Sequence, residues 1–128
     1  MSTRIEVRLP PELLACRLAR AAVASVGSEL PEAAMSDVEL LTSEVVSNAV
    51  KHGNLDPRQE ILLRIETDGR IRVEVRDQAP PFEVEPREPR PGTSGWGLFL
   101  VDRIATMWGM EPDGAGKRVW FEIEPEPD

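Results

Sequence analysis

The chain opens with Ile5, Val7 and Leu9 alternating against Arg4, Glu6 and Arg8, a period of two that predicts a half-buried strand over 4–9. Pro10 and Pro11 end it, and Pro11 suits the first turn of a helix. Leu13, Leu14, Leu18, Ala21, Ala22 and Val26 then carry an amphipathic helical pattern up to Gly27. A turn-rich bridge, SELPEAAM, leads to a second helix. Ser36 with Glu39 reads as a capping box that starts this helix at Ser36, and Gly53 just past Lys51 and His52 supplies its stop. Within it Val38, Leu41, Val45 and Ala49 form the stripe to be buried.

After a loop over Asn54–Arg58, Ile61, Leu63 and Ile65 alternate with Leu62, Arg64 and Glu66 as a second strand. Asp68-Gly69 is a two-residue hairpin signal, and Ile71, Val73 and Val75 return the chain as a third strand. From Gln78 to Ser94 the periodicity stops and Pro80, Pro81, Pro86, Pro89 and Pro91 are scattered among charges, which predicts a long loop of restricted backbone. Leu98, Leu100, Val101, Ile104, Ala105 and Trp108 then follow at helical spacing. EPDGAG makes a tight connection after Met110. Val119, Phe121 and Ile123 alternate with Arg118, Trp120 and Glu122 as a last strand, paired with a short one around Thr106 to Met110, and PEPD is a polar tail. The predicted order is strand, helix, helix, hairpin, loop, helix, hairpin. It describes an α+β fold, a two-layer sandwich whose mostly antiparallel mixed sheet carries its helices on one face.

Composition narrows the picture. At 128 residues and 41% hydrophobic content, residues 1–128 are expected to form one domain with a real core. A net charge of −8, with no stripe of Lys and Arg, argues against direct binding of nucleic acid. The single Cys16 cannot form an internal disulfide and reads as a buried structural thiol. The N-terminal residues contain no long apolar run, which predicts neither a signal peptide nor a membrane span and places the chain in the cytoplasm.

Three features carry candidate chemistry. Glu44, Asn48 and His52 recur at four-residue steps along the second helix, with Lys51 beside them, as one polar line bordering the apolar stripe. A carboxylate and a carboxamide stacked this way suit a hard cation or an attacking hydroxyl; a helix of this length also presents such a line simply to water. Asp77 continues Ile71, Val73 and Val75 at two-residue steps and so projects from the apolar face of the third strand, where an acid needs a partner; the alternative is a turn that begins at Asp77. Gly92-Thr93-Ser94-Gly95-Trp96-Gly97 feeds a helix start, which offers bare backbone N–H groups to a phosphate, or only a tight turn.

The order and spacing of these features resemble the Bergerat ATP-binding fold of the GHKL superfamily, shared by gyrase, histidine kinases and the heat-shock chaperone of that group. Glu44-Val-Val-Ser-Asn48-Ala-Val-Lys-His52 looks like its N box. The resemblance implies that Glu44 activates the attacking group and that Asn48 coordinates a magnesium ion on the ATP phosphates, with His52 in the same nucleotide-binding box. It implies that Asp77 accepts a hydrogen bond from the adenine amino group and that Ala79 lies where adenine packs. Gly95-Trp96-Gly97-Leu98 resembles the later glycine box, which closes the 78–94 loop over the phosphates as a lid.

Within the superfamily the chain is similar to the small, free-standing anti-sigma factor kinases, down to the ending Gly116-Lys117-Arg118-Val119-Trp120-Phe121. That implies transfer of the ATP gamma-phosphate to a serine of an antagonist protein, sequestration of a sigma factor, and a homodimer. Three departures stand out. Ala79 and Pro81 replace glycines that follow the adenine-binding acid, Arg118 stands where the last strand commonly has a threonine supporting the adenine contact, and the lid is short and proline-rich. A nucleotide-binding or partner-docking regulator without phosphoryl transfer is the alternative reading.

Overall fold

The computed structural model describes residues 2–26, 30–52, 59–78 and 96–125. Five strands and three helices follow in the order β1 (Thr3–Leu9), α1 (Leu14–Ala24), α2 (Glu32–His52), β2 (Ile61–Thr67), β3 (Ile71–Asp77), α3 (Trp96–Ile104), β4 (Met107–Asp113) and β5 (Gly116–Ile123). The sheet order is β1-β2-β3-β5-β4 and every pairing is antiparallel. This is the predicted α+β sandwich, with α2 packed across β3 and β5 and with α1 and α3 on either side of α2.

Alternation does what the sequence requires of it. Ile61, Leu63 and Ile65 of β2, Ile71, Val73 and Val75 of β3, and Val119, Phe121 and Ile123 of β5 are all buried, in one core with Val38, Leu41, Val45, Val46 and Ala49 of α2. Each fully buried aliphatic side chain is worth about 1.5–3 kcal/mol relative to exposure. The β2–β3 hairpin turns at Asp68-Gly69-Arg70, where Gly69 has a φ of +74°, a left-handed conformation that glycine adopts without steric cost.

Four boundaries and faces depart from the sequence reading. α2 begins at Glu32 rather than at Ser36. The Met35 N–H already bonds the Pro31 carbonyl at 3.0 Å, so Pro31 pre-sets the entry, the alanines behind it propagate the helix, and Ser36 is an exposed residue of the second turn. In α1 the buried residues are Ala15, Ala19, Ala22 and Val23, whereas Leu13, Leu14 and Leu18 are exposed. Alanines let α1 lie close against α2, and the weight of the leucines in the pattern pointed to the wrong face. α3 ends at Ile104, because Trp108 belongs to β4, where it pairs with Phe121 and donates its indole N–H to Asp102 at 2.9 Å. β4 in turn runs on to Asp113, through the residues expected to form the connection; as an edge strand it tolerates Pro112.

The sheet's other face is a lattice of charges. Glu74 of β3 and Glu122 of β5 are buried there between guanidinium groups, with Arg76 at 2.9 Å from Glu74 and Arg72 at 3.0 Å from Glu122. Arg72 also lies over the Trp120 ring, 4.2 Å from its centre.

Candidate functional site

On α2, positions 45, 48 and 49 share one side of the helix, so Val45, Asn48 and Ala49 face the sheet together. On β3 and β5 the inward alternation brings Val75 and Asp77 opposite Val119 and Lys117, in the register Val75↔Val119 and Asp77↔Lys117. Leu98, buried in the first turn of α3, closes the remaining side. These residues enclose a cleft with about 290 Å³ of empty space, including the part open to solvent. Its walls are apolar, and its polar groups are Asn48, Asp77 and Lys117.

β3 runs through Asp77, so the acid stands on the core side of the strand and not in a turn. It is 4% exposed, and its partner is Lys117, whose Nζ donates to Oδ1 at 2.8 Å and to Oδ2 at 2.6 Å. Both side chains are withdrawn from water, so this is a buried ion pair, and removing either charge would leave the other in a dry site. Gly116 makes the approach possible, since a Cβ there would fall 2.0 Å from the Asp77 carbonyl oxygen.

Sequence reading had placed Arg118 beside this contact, and the register corrects it. Arg118 points to the outer face, hydrogen-bonded to Glu111 and 3.8 Å from Glu74, while Lys117 stands opposite Asp77. The signal was present: stepping back by two from Val119 along the inward series Val119, Phe121, Ile123 reaches Lys117, the same argument that had found Asp77 on β3.

The polar line of α2 divides. Asn48 is half-buried and lines the cleft, but Glu44, one turn earlier, is half-buried outside its lining. A four-residue step turns the helix by about 40°, enough to carry Glu44 toward α1. There it acts electrostatically on Cys16, whose thiol lies 4.0 Å from the Ser43 carbonyl. Burial pushes the Cys16 thiol above its ordinary value of 9.0 and Glu44 adds to the rise, against the opposing pull of Arg20 and Lys51. His52 is the last residue of α2, and its side chain is not among those described. Trp96 and Gly97 form the start of α3, inside the stretch expected to feed it, and the Trp96 side chain is likewise not described; Ala79, Gly95 and the 79–95 part of the loop lie outside the described residues. No group of three or more His, Cys, Asp or Glu side chains that could hold a metal ion occurs among the described residues. None of the described helices is long and apolar enough to cross a membrane.

Comparison with known proteins places this geometry. A search of curated proteins finds no match. Among solved structures the chain is similar to the crystal structure of the RsbU and RsbW domains of Rv1364c from Mycobacterium tuberculosis, with a TM-score of 0.74 over 95% of this chain at 20% identity. At that identity the likeness shows the fold, and the chain spans 32% of that neighbour's length. The family profile described as histidine kinase-like ATPase domain matches residues 9–123, from the end of β1 to the end of β5 and across every residue that lines the cleft. The chain belongs to the histidine kinase-like ATPase domain family.

Proposed function

We propose that this chain is an ATP-binding protein kinase of the anti-sigma factor type, which transfers the gamma-phosphate of ATP to a serine of an antagonist protein and sequesters a sigma factor. Membership in an ATPase domain family supports ATP binding in general. The observation that carries the finer reading is convergence: Asn48 on α2 and Asp77 on β3, far apart in the chain, line one cleft that α3 closes at its first turn.

The residues present suit a nucleotide at its phosphate end. Magnesium keeps several waters and is commonly held by one or two protein ligands together with substrate phosphates, so a lone carboxamide at Asn48 is an adequate protein contribution, and a cluster of acids is not required. In this reading the ion neutralises charge on the phosphates when bound. The first turn of α3, from Trp96 to Leu98, presents N–H groups without helical partners toward the anion. Glu44 orients the serine hydroxyl from one turn along α2. Val45, Ala49, Val75, Leu98 and Val119 exclude water from the base. Homodimerisation and a cytoplasmic location complete the reading.

A second reading, a nucleotide-binding or partner-docking regulator without transfer, is favoured by two observations: Glu44 stands outside the cleft lining, and Lys117 engages the acid assigned to adenine. One experiment separates them. Incubation with magnesium, gamma-labelled ATP and an antagonist-type protein should label that protein on serine, and Glu44→Ala should retain nucleotide while losing at least about a hundredfold in transfer rate. Labelling undiminished in Glu44→Ala removes Glu44 as base, and nucleotide bound without any transfer by the native chain selects the regulator.

A further inference from the structure

The two edges of the sheet, β1 and β4, are finished differently. β4 carries Pro112, which has no N–H to offer a further strand, whereas β1 runs from Thr3 to Leu9 without a proline or a break in its pairing to β2. Among the described residues β1 thus has a neighbouring strand on one side only. Its inward side chains are also incompletely covered. Ile5 and Val7 are half-buried, while the inward aliphatic positions of β2, β3 and β5 are buried.

Helix α1, which packs on α2 and on β1, adds to this margin. Cys16 and Arg20 mark its α2 side, through contacts to Ser43. Leu14 and Leu18 each stand two residues from Cys16, about 160° round the helix, and so point away from α2. With β1 at the edge of the sheet, that side of α1 overhangs the edge. The two leucines are 45% and 37% exposed, and Leu13 just before them is 69% exposed.

We infer that the free edge of β1 and the Leu14/Leu18 side of α1 form one two-fold interface with a second copy of this chain, the two β1 strands pairing antiparallel into a continuous sheet. The inference gives a surface to the homodimer of the function proposed above and rests on that part of it alone. Charge selects the occupant. A two-fold interface sets the same patch against itself, and inward side chains must oppose inward ones. A two-fold axis through Val7 sets Arg8 opposite Glu6 of the second copy, and an axis through Ile5 sets Arg4 opposite that Glu6. An axis through Glu6 opposes like charges and is excluded. The alternation Arg4, Glu6, Arg8 is therefore complementary to its own antiparallel copy, and the register brings the half-covered Ile5 and Val7 together on the same side as the leucines.

The test is light scattering of the full chain after size exclusion, over a concentration series around about 10 µM. The native chain is expected to run at twice its own mass. Leu14→Asp with Leu18→Asp should weaken the dimer at least about tenfold, and so should Glu6→Arg, which opposes arginine to arginine in every allowed register. Mixing Glu6→Arg with a chain carrying Arg4→Glu and Arg8→Glu should restore a dimer containing one of each, a rescue that damage to the fold of either chain would not give. A dimer of native strength in either the leucine or the Glu6→Arg variant overturns this interface while homodimerisation stands, as does a mixture that stays monomeric. A native chain that is monomeric throughout the series removes homodimerisation and this inference together, and leaves the cleft and its nucleotide untouched.

Discussion

The two faces of the β3–β5 strand pair handle charge in opposite ways. Outward, Glu74 is approached by Arg72, Arg76 and Arg118, and Glu122 by Arg70 and Arg72, so each acid has several guanidinium partners on a half-open surface. Inward, Asp77 and Lys117 are paired within a cleft otherwise lined by apolar side chains and Asn48. The outer lattice is redundant: losing one arginine leaves each acid another. The inner pair is buried instead of half-open, so the loss of either charge is felt in a site that water does not reach. Charge on the outer face serves the sheet, whereas charge on the inner face sits where a ligand would have to bargain with it.

The largest expected effect breaks the inner pair. Lys117→Ala leaves Asp77 buried with its ammonium partner gone and should cost about 3–5 kcal/mol in urea unfolding. Arg72→Ala on the outer face should cost about 1 kcal/mol, most of it the lost stacking on Trp120, because Glu122 keeps Arg70 and Glu74 keeps Arg76 and Arg118. Equal costs for the two variants would erase the distinction between the faces.

Next in size is the backbone approach that holds the inner pair. Gly116→Ala places a methyl 2.0 Å from the Asp77 carbonyl oxygen, so the strands must part, at a cost of about 2–3 kcal/mol. Gly69→Ala is the control. It meets no neighbour within 4 Å but sits at a φ of +74°, so its cost is conformational alone, about 1–2 kcal/mol. Should Gly116→Ala prove the milder of the two, close packing of β5 on Asp77 is not what fixes Lys117.

Much of this was legible in the residues. The strands and their inward faces followed from a period of two that the structure keeps, and Asp77 was found by carrying that period one step past Val75. Lys117 follows from the same two-residue step on β5, whereas Arg118 is a position defined by likeness and not by alternation. Helix α1 misled for a different reason. Hydrophobic weight favours leucine, but the tight packing of α1 on α2 selected Ala15, Ala19 and Ala22, and no property of a single helix announces how near its neighbour will lie. The start of α2 was hidden by a capping signal at Ser36 that a stronger one, Pro31 ahead of Glu32 and two alanines, overrode. The division of the polar line between Asn48 and Glu44 depended on where α1 and the sheet stand around α2, which spacing along one helix does not contain.

The smallest effect concerns the outer lattice and pH. Hydrogen bonding from Arg118, and then from the Trp120 indole, holds the Glu111 carboxyl below its ordinary value of 4.5, and the Arg64 guanidinium does the same for Glu6. With folded values lower than unfolded ones, the unfolded chain binds more protons in this range, so the contribution is present above about pH 4.5 and is lost as pH falls through the folded values. Both carboxylates are exposed and screened, which keeps the slope shallow. Urea midpoints measured at about pH 6, 4.5 and 3 should therefore fall gently on acidification, and Glu111→Gln should flatten part of that fall. The same variant should leave nucleotide affinity untouched, since Glu111 is on the edge strand's outer side and Lys117 faces inward. A Glu111→Gln protein that kept the full acid slope would take Glu111 out of the lattice, and one that changed ATP affinity would show the two faces to be coupled through β5.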